Sequence, residues 1–119
     1  MLRIVGVGQD DDATRLENRI GEPAANPYLY LASQIYSGLD GIRNHLTLPP
    51  PTEDPDATDA ALLPTNLMDA VGELDKSSVF RDALGDQFVD YFLHIKRAEI
   101  SRFLATVTDW EHREYFEIF

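Results

Sequence analysis

Thr14-Arg15-Leu16-Glu17-Asn18-Arg19-Ile20-Gly21-Glu22-Pro23-Ala24-Ala25-Asn26-Pro27-Tyr28-Leu29-Tyr30-Leu31 holds alternating charge, a proline-gated turn and a helix start in under twenty residues. If Thr14 to Ile20 is extended, the two-residue side-chain period places Arg15, Glu17 and Arg19 on one face and Leu16, Asn18 and Ile20 on the other. A cation-anion-cation row of this kind suits a metal-phosphate site. A carboxylate is a hard oxygen ligand for Mg²⁺ or Mn²⁺, and guanidinium forks bind phosphoryl or carboxylate oxygens in pairs. On a solvated strand the same Arg-x-Glu-x-Arg pattern is ordinarily a ladder of exposed ion pairs that contributes little. The triplet alone leaves both readings open.

Outward from the row, Gly21-Glu22-Pro23 ends the strand, and Asn26-Pro27 supplies an N-cap followed by proline at the first helical position. Tyr28, Leu31, Ala32, Ile35, Tyr36, Leu39 and Ile42 recur at three and four residues. That spacing predicts a helix from about Pro27 to Arg43, burying one broad face before Gly41 or Asn44 stops it. Upstream, Leu2 to Val7 is rich in β-branched residues and predicts a strand, closed by Gly8 and the acidic turn Asp10-Asp11-Asp12 and paired with Thr14 to Ile20. The Asp triplet lacks the alternating ligand positions and terminal glutamate of an EF-hand, so a solvated turn is expected. Two strands alone bury too little to be stable, which implies that the sheet has partners outside this sequence.

Downstream, four prolines and four acids across Pro49 to Asp59 predict an extended, solvated connector. The acids, with no flanking basic residue, argue against a ligand for an SH3-type domain. From Pro64 the helical pattern returns. Thr65 or Asn66 caps Leu67 to Leu74, Ser77 or Ser78 caps Val79 to Leu84, and Gly85 closes that turn. Asp86 caps the longest helix, lined on one side by Phe88, Phe92, Ile95, Phe103 and Val107 and widened by Val89, Leu93, Ile100 and Leu104. Lys96, Arg97, Glu99 and Arg102 are spaced to pair with one another. Thr108-Asp109-Trp110-Glu111 reads as a capping-box start for a last helix to about Ile118.

The formal net charge of −11 argues against nucleic acid or an anionic membrane as partner, because both require clustered Lys and Arg. It fits a cytoplasmic protein. With no cysteine there is no disulfide framework and no Cys-based zinc site. No apolar run approaches a membrane span, and the N-terminus lacks a basic-then-apolar signal pattern. His45, His94 and His112 share no metal-ligand spacing, and Val5-Gly6-Val7-Gly8 is too short for a phosphate loop.

The run from Thr14 to Gln34, followed by Ser37-Gly38-Leu39-Asp40-Gly41-Ile42, resembles the segment near the end of the catalytic domain of the glutamine synthetase family. The likeness is close from Arg3 to about Ile42 and looser along the helical tail. It implies an α+β fold, a short N-terminal strand pair followed by a mainly α-helical region, forming a C-terminal piece of that catalytic domain. Residues 1–20 would carry the strand pair and its site residues, 26–44 a helix, 48–63 the Pro-rich acidic loop and 64–119 the helical tail. The resemblance implies an ATP-dependent ligase that joins ammonia or another amine to the side-chain carboxylate of glutamate, using Mg²⁺ or Mn²⁺. By the same resemblance Glu17 would be the metal ligand, and Arg19 would be catalytic and face glutamate with its transferring phosphoryl group. Arg15 and Arg3 would contact nucleotide phosphate. The complete enzyme would be a homo-oligomer whose N-terminal portion supplies further glutamates, a histidine and nucleotide-binding residues. These 119 residues alone are expected to be an inactive fragment. The alternative is a non-catalytic helical interaction or assembly module derived from that family.

Overall fold

The computed structural model describes residues 2–6, 11–51, 54 and 61–118. Among these residues the architecture is α+β, a pair of strands followed by five helices, in agreement with the sequence. Contacts divide the chain into two units, Met1–Leu46 and Thr47–Phe119.

In the first unit, β1 (Leu2–Val5) and β2 (Arg15–Asn18) run antiparallel. Leu2 lies opposite Asn18, Arg3 opposite Glu17, Ile4 opposite Leu16 and Val5 opposite Arg15. Opposed residues share a face of the ladder, so the pairing adds Arg3 to the row of Arg15 and Glu17. Gly6 follows β1 with φ of +106°, and a Cβ there would lie 2.6 Å from Thr14 Cα. Only glycine tolerates both the left-handed backbone and that close approach. The return is fastened at Asp11, whose Oδ1 accepts from Ala13 N at 2.8 Å and whose carbonyl accepts from Thr14 N at 2.9 Å. This agrees with a turn at the acidic cluster; Asp10 and Val7 lie outside the described residues.

Helix α1 (Pro27–Arg43) begins as its caps predict, with Asn26 Oδ1 accepting from Tyr28 N at 3.0 Å and Leu29 N at 3.2 Å. Its burial departs from the sequence reading. Of the predicted stripe Ala32 and Tyr36 are half-buried, beside Leu29, Tyr30, Ser33 and Asp40, while Tyr28, Leu31, Ile35, Leu39 and Ile42 are exposed. The apolar stripe is displaced from the covered stripe by roughly a third of a turn. Periodicity identifies which residues share a face; it does not provide the surface that would cover them.

The second unit contains α2 (Leu67–Lys76), α3 (Ser78–Leu84), α4 (Asp86–Leu104) and α5 (Trp110–Tyr115). Between Thr47 and Asn66 no described residue lies in a helix or strand, and the rest of the Pro-rich loop lies outside the described residues. Val71 of α2 and Val89 and Leu93 of α4 form the buried centre, with Leu74, Phe80, Leu84 and Ile100 packed against it. The core therefore uses the Val89–Leu93–Ile100 face of α4. Phe103 and Val107 are exposed, and α4 ends before Val107, so the broader aromatic face read from the sequence is not the packed one. Gly85, at φ of +84°, closes α3 and opens α4 without a side-chain cap; Asp86 is the first helical residue and not the cap.

Charge also ties these helices together. The Arg81 guanidinium donates to Asp75, Asp86 and Asp90 at 2.9 Å each and to the Asp75 carbonyl at 3.2 Å. Arg97 Nη2 donates to Asp75 Oδ2 at 2.6 Å. Lys96 and Glu99 pair as expected, at 2.7 Å, but Arg97 reaches back to α2. The Arg97 hydrogen bond, followed by that from Arg81, holds the Asp75 carboxyl below the usual carboxylate range. A depressed carboxylate stabilises the fold above its unfolded-state value and loses that contribution as pH falls through the folded-state value. Asp75→Asn is therefore expected to unfold at lower urea than the parent at neutral pH. The two urea midpoints should converge once acid protonates Asp75 in the parent; a gap unchanged by pH would exclude the charge account.

Candidate functional site

The candidate site comes from the strand pair and the residue that follows it, Arg19. Glu17 sits on β2 with a side chain 25% exposed and is approached by three guanidiniums. Arg15 Nη2 and Nε both donate to Glu17 Oε1, at 2.7 and 3.2 Å. Arg19 Nε lies 3.5 Å from Oε2, and Arg3 Nη1 from β1 lies 3.9 Å from the same oxygen. Arg15 is further restrained by donation from Nη1 to the Ala13 carbonyl at 3.1 Å. The alternating period of β2 accounts for Arg15, Glu17 and Arg19; the antiparallel register accounts for Arg3. All four residues singled out in the sequence thus share one cluster.

The electrostatics follow directly. The Arg15 hydrogen bond, reinforced by the charges of Arg15, Arg19 and Arg3, holds the Glu17 carboxyl below the usual carboxylate range. Glu17 is an anion at neutral pH. Three guanidiniums against one carboxylate leave two positive charges in excess on a chain whose net charge is −11. Such a cluster can receive an anion with several oxygens, because guanidinium donors are fixed in a plane and remain charged.

For a hard divalent cation, Glu17 offers one carboxylate, whereas Mg²⁺ takes six oxygen ligands in an octahedron. Among the described residues no group of three His, Cys, Asp or Glu is placed to hold a metal ion. The donor chemistry fits one wall of a metal-phosphate site and does not complete it. Among the described residues no helix is long and apolar enough to cross a membrane.

On the opposite face the structure shows what the alternating pattern did not. Asn18 Nδ2 donates to Gln34 Oε1 of α1 at 2.6 Å, and Asn18 Oδ1 accepts from Ile20 N at 3.1 Å. The link spans sixteen residues, so no local rule of spacing would find it.

Comparison with known proteins matches the sequence of the chain to a family. The family model described as glutamine synthetase, catalytic domain, matches residues 1–115. The chain is 42% identical to a gamma-glutamylanilide synthase of Acinetobacter sp, over 99% of the chain and 26% of that protein. It is 38% identical to a glutamine synthetase of Methanococcus maripaludis, over 88% of the chain and 26% of that protein. It is also 39% identical to a gamma-glutamylethanolamide synthetase of Streptomyces coelicolor, over 98% of the chain and 25% of that protein. The chain spans about a quarter of the length of each of these relatives. With nearly all of its residues matched by one catalytic-domain family, the chain belongs to the glutamine synthetase family.

Proposed function

We propose that this chain supplies the arginine-glutamate face of an ATP-dependent ligase that forms an amide on the side-chain carboxylate of glutamate. The observation carrying this reading is the cluster itself, three guanidiniums about one ionised carboxylate with an excess of positive charge. Phosphoryl transfer makes little covalent demand on the protein. It needs positioning and electrostatic stabilisation of oxygens that share negative charge.

In this reading Arg15 and Arg3 bind nucleotide phosphate oxygens, and Arg19 binds the glutamate carboxylate and the phosphoryl group passing to it. Glu17 supplies one hard oxygen ligand to Mg²⁺ or Mn²⁺, which when bound neutralises phosphate charge and orients the oxygens. Before ligands enter, Glu17 holds the arginine forks together and lowers their mutual repulsion. Ammonia or a larger amine then displaces phosphate. Relatives named for glutamine, gamma-glutamylanilide and gamma-glutamylethanolamide support a choice among amines.

The remaining nucleotide and metal contacts come from the other three quarters of such an enzyme, in the cytoplasm and within a homo-oligomer. The test joins these 119 residues to the rest of such a catalytic domain and measures phosphate release from ATP. Release that requires glutamate together with ammonia, ethanolamine or aniline supports the reading. A joined polypeptide that folds but shows no glutamate-dependent release overturns it and leaves the interaction-module reading.

A further inference from the structure

Among the described residues the last pair of the strand ladder is Leu2 with Asn18, one residue before Arg19. The peptide that carries Arg19 is held by the side chain of Asn18. Its Oδ1 accepts from Ile20 N at 3.1 Å, closing a ring of hydrogen-bonded backbone around Arg19 in the manner of an Asx turn. Its Nδ2 is in turn held by Gln34 Oε1 at 2.6 Å.

One helical turn before Gln34, the Tyr30 ring meets the same segment. A Cβ on Gly21 would lie 2.7 Å from the Tyr30 hydroxyl oxygen, so the chain leaving Ile20 runs directly against that ring. Tyr30 and Gln34 lie one turn apart and face alike on α1, and they meet the chain at Gly21 and Asn18, after and before Arg19-Ile20. The start of α1 is itself fixed by the Asn26 cap.

We propose that Asn18, held by Gln34, is a positioning residue that sets the direction of the Arg19 guanidinium toward Glu17. Asn18 lies on the face away from the charged row and touches none of its side chains in this role. It acts through the backbone, transmitting the placement of α1 to Arg19, which follows the last described pair of the ladder. Its importance to chemistry rests on the proposed ligase reading; the placement of Arg19 does not.

The test uses the isotope-labelled 119-residue chain and two signals in nuclear magnetic resonance, hydrogen exchange of the Ile20 backbone amide and the order parameter of Arg19 Nε–Hε. Gln34→Met removes the acceptor from an exposed helical position fifteen residues from Arg19, and keeps side-chain length. It is expected to speed Ile20 exchange about fivefold, the factor commanded by one hydrogen bond of ordinary net strength, and to lower the Arg19 order parameter. Asn18→Leu should do the same, and the double variant should exceed neither single change. Unchanged Ile20 exchange and Arg19 order in Gln34→Met, with the strand and helix signals intact, would overturn the proposal. Should Asn18→Leu unfold the strand pair, Gln34→Met alone decides. Because both signals are read without ATP or turnover, their failure would leave the ligase reading standing, and absence of ligase activity would leave this placement standing.

Discussion

Glu17→Gln is expected to lower turnover by about two orders of magnitude or more when the chain is joined to the rest of a glutamine synthetase-like catalytic domain. The change keeps side-chain length and shape and replaces an anionic oxygen with an amide. In the proposed reading a hard cation loses a charged ligand. By the geometry Arg15, whose Nε and Nη2 both reach Glu17 Oε1, loses its counter-charge beside Arg3 and Arg19. The strand pair should keep its unfolding curve nearly unchanged, because ion pairs at half-exposed side chains contribute little to stability. Steady-state kinetics beside thermal unfolding would separate the two effects. Turnover close to the parent's would return Arg15, Glu17 and Arg19 to the status of a surface ladder.

The second large effect belongs to the helical unit. Leu93 is 1% exposed and, among the described residues, shares the buried centre with Val71 and Val89. Leu93→Ala removes three carbons from that centre and leaves a cavity that helices joined by short turns cannot wholly collapse. The expected loss is about 2–5 kcal/mol, a large part of what a domain of this size has to lose. Val107→Ala serves as the control, since Val107 is 95% exposed and its loss should stay within about 0.5 kcal/mol. Urea unfolding followed by helical circular dichroism reads both. Equal midpoints for the two variants would show that the Val71–Val89–Leu93 cluster is not the core of the unit.

Which parts of this were legible follows from the range of each rule. The caps at Asn26-Pro27 and Asn66 act within three residues, and the helices begin where they predict. The alternation of Arg15, Glu17 and Arg19 is likewise local; the observed strand holds Arg15 and Glu17, and Arg19 just after it still reaches Glu17. Arg3 entered only through family resemblance, because register is a property of two strands and a single triplet does not encode it. Arg97 looked like a partner for its helical neighbours and instead bonds Asp75, twenty-two residues away. Asn18 looked idle because alternation assigns it to the face without charge, yet its amide joins α1. The apolar stripe of α1 was read correctly as a stripe and wrongly as buried. Amphipathic spacing is written into one helix, whereas its cover must come from another surface.

The central claim is that the chemistry lies on the charged face of the strand pair, and Arg19→Lys tests it most directly. Lysine keeps the positive charge and most of the length but loses the planar two-pronged donor set that a carboxylate or phosphoryl group would use. In the joined polypeptide, kcat/KM for glutamate should fall about 10- to 100-fold, the range for losing a charge-assisted hydrogen bond. The unfolding midpoint should not move. A kcat/KM within about twofold of the parent, in a variant that folds normally, would contradict the account, because an ion-pair ladder tolerates lysine for arginine and a bidentate site does not.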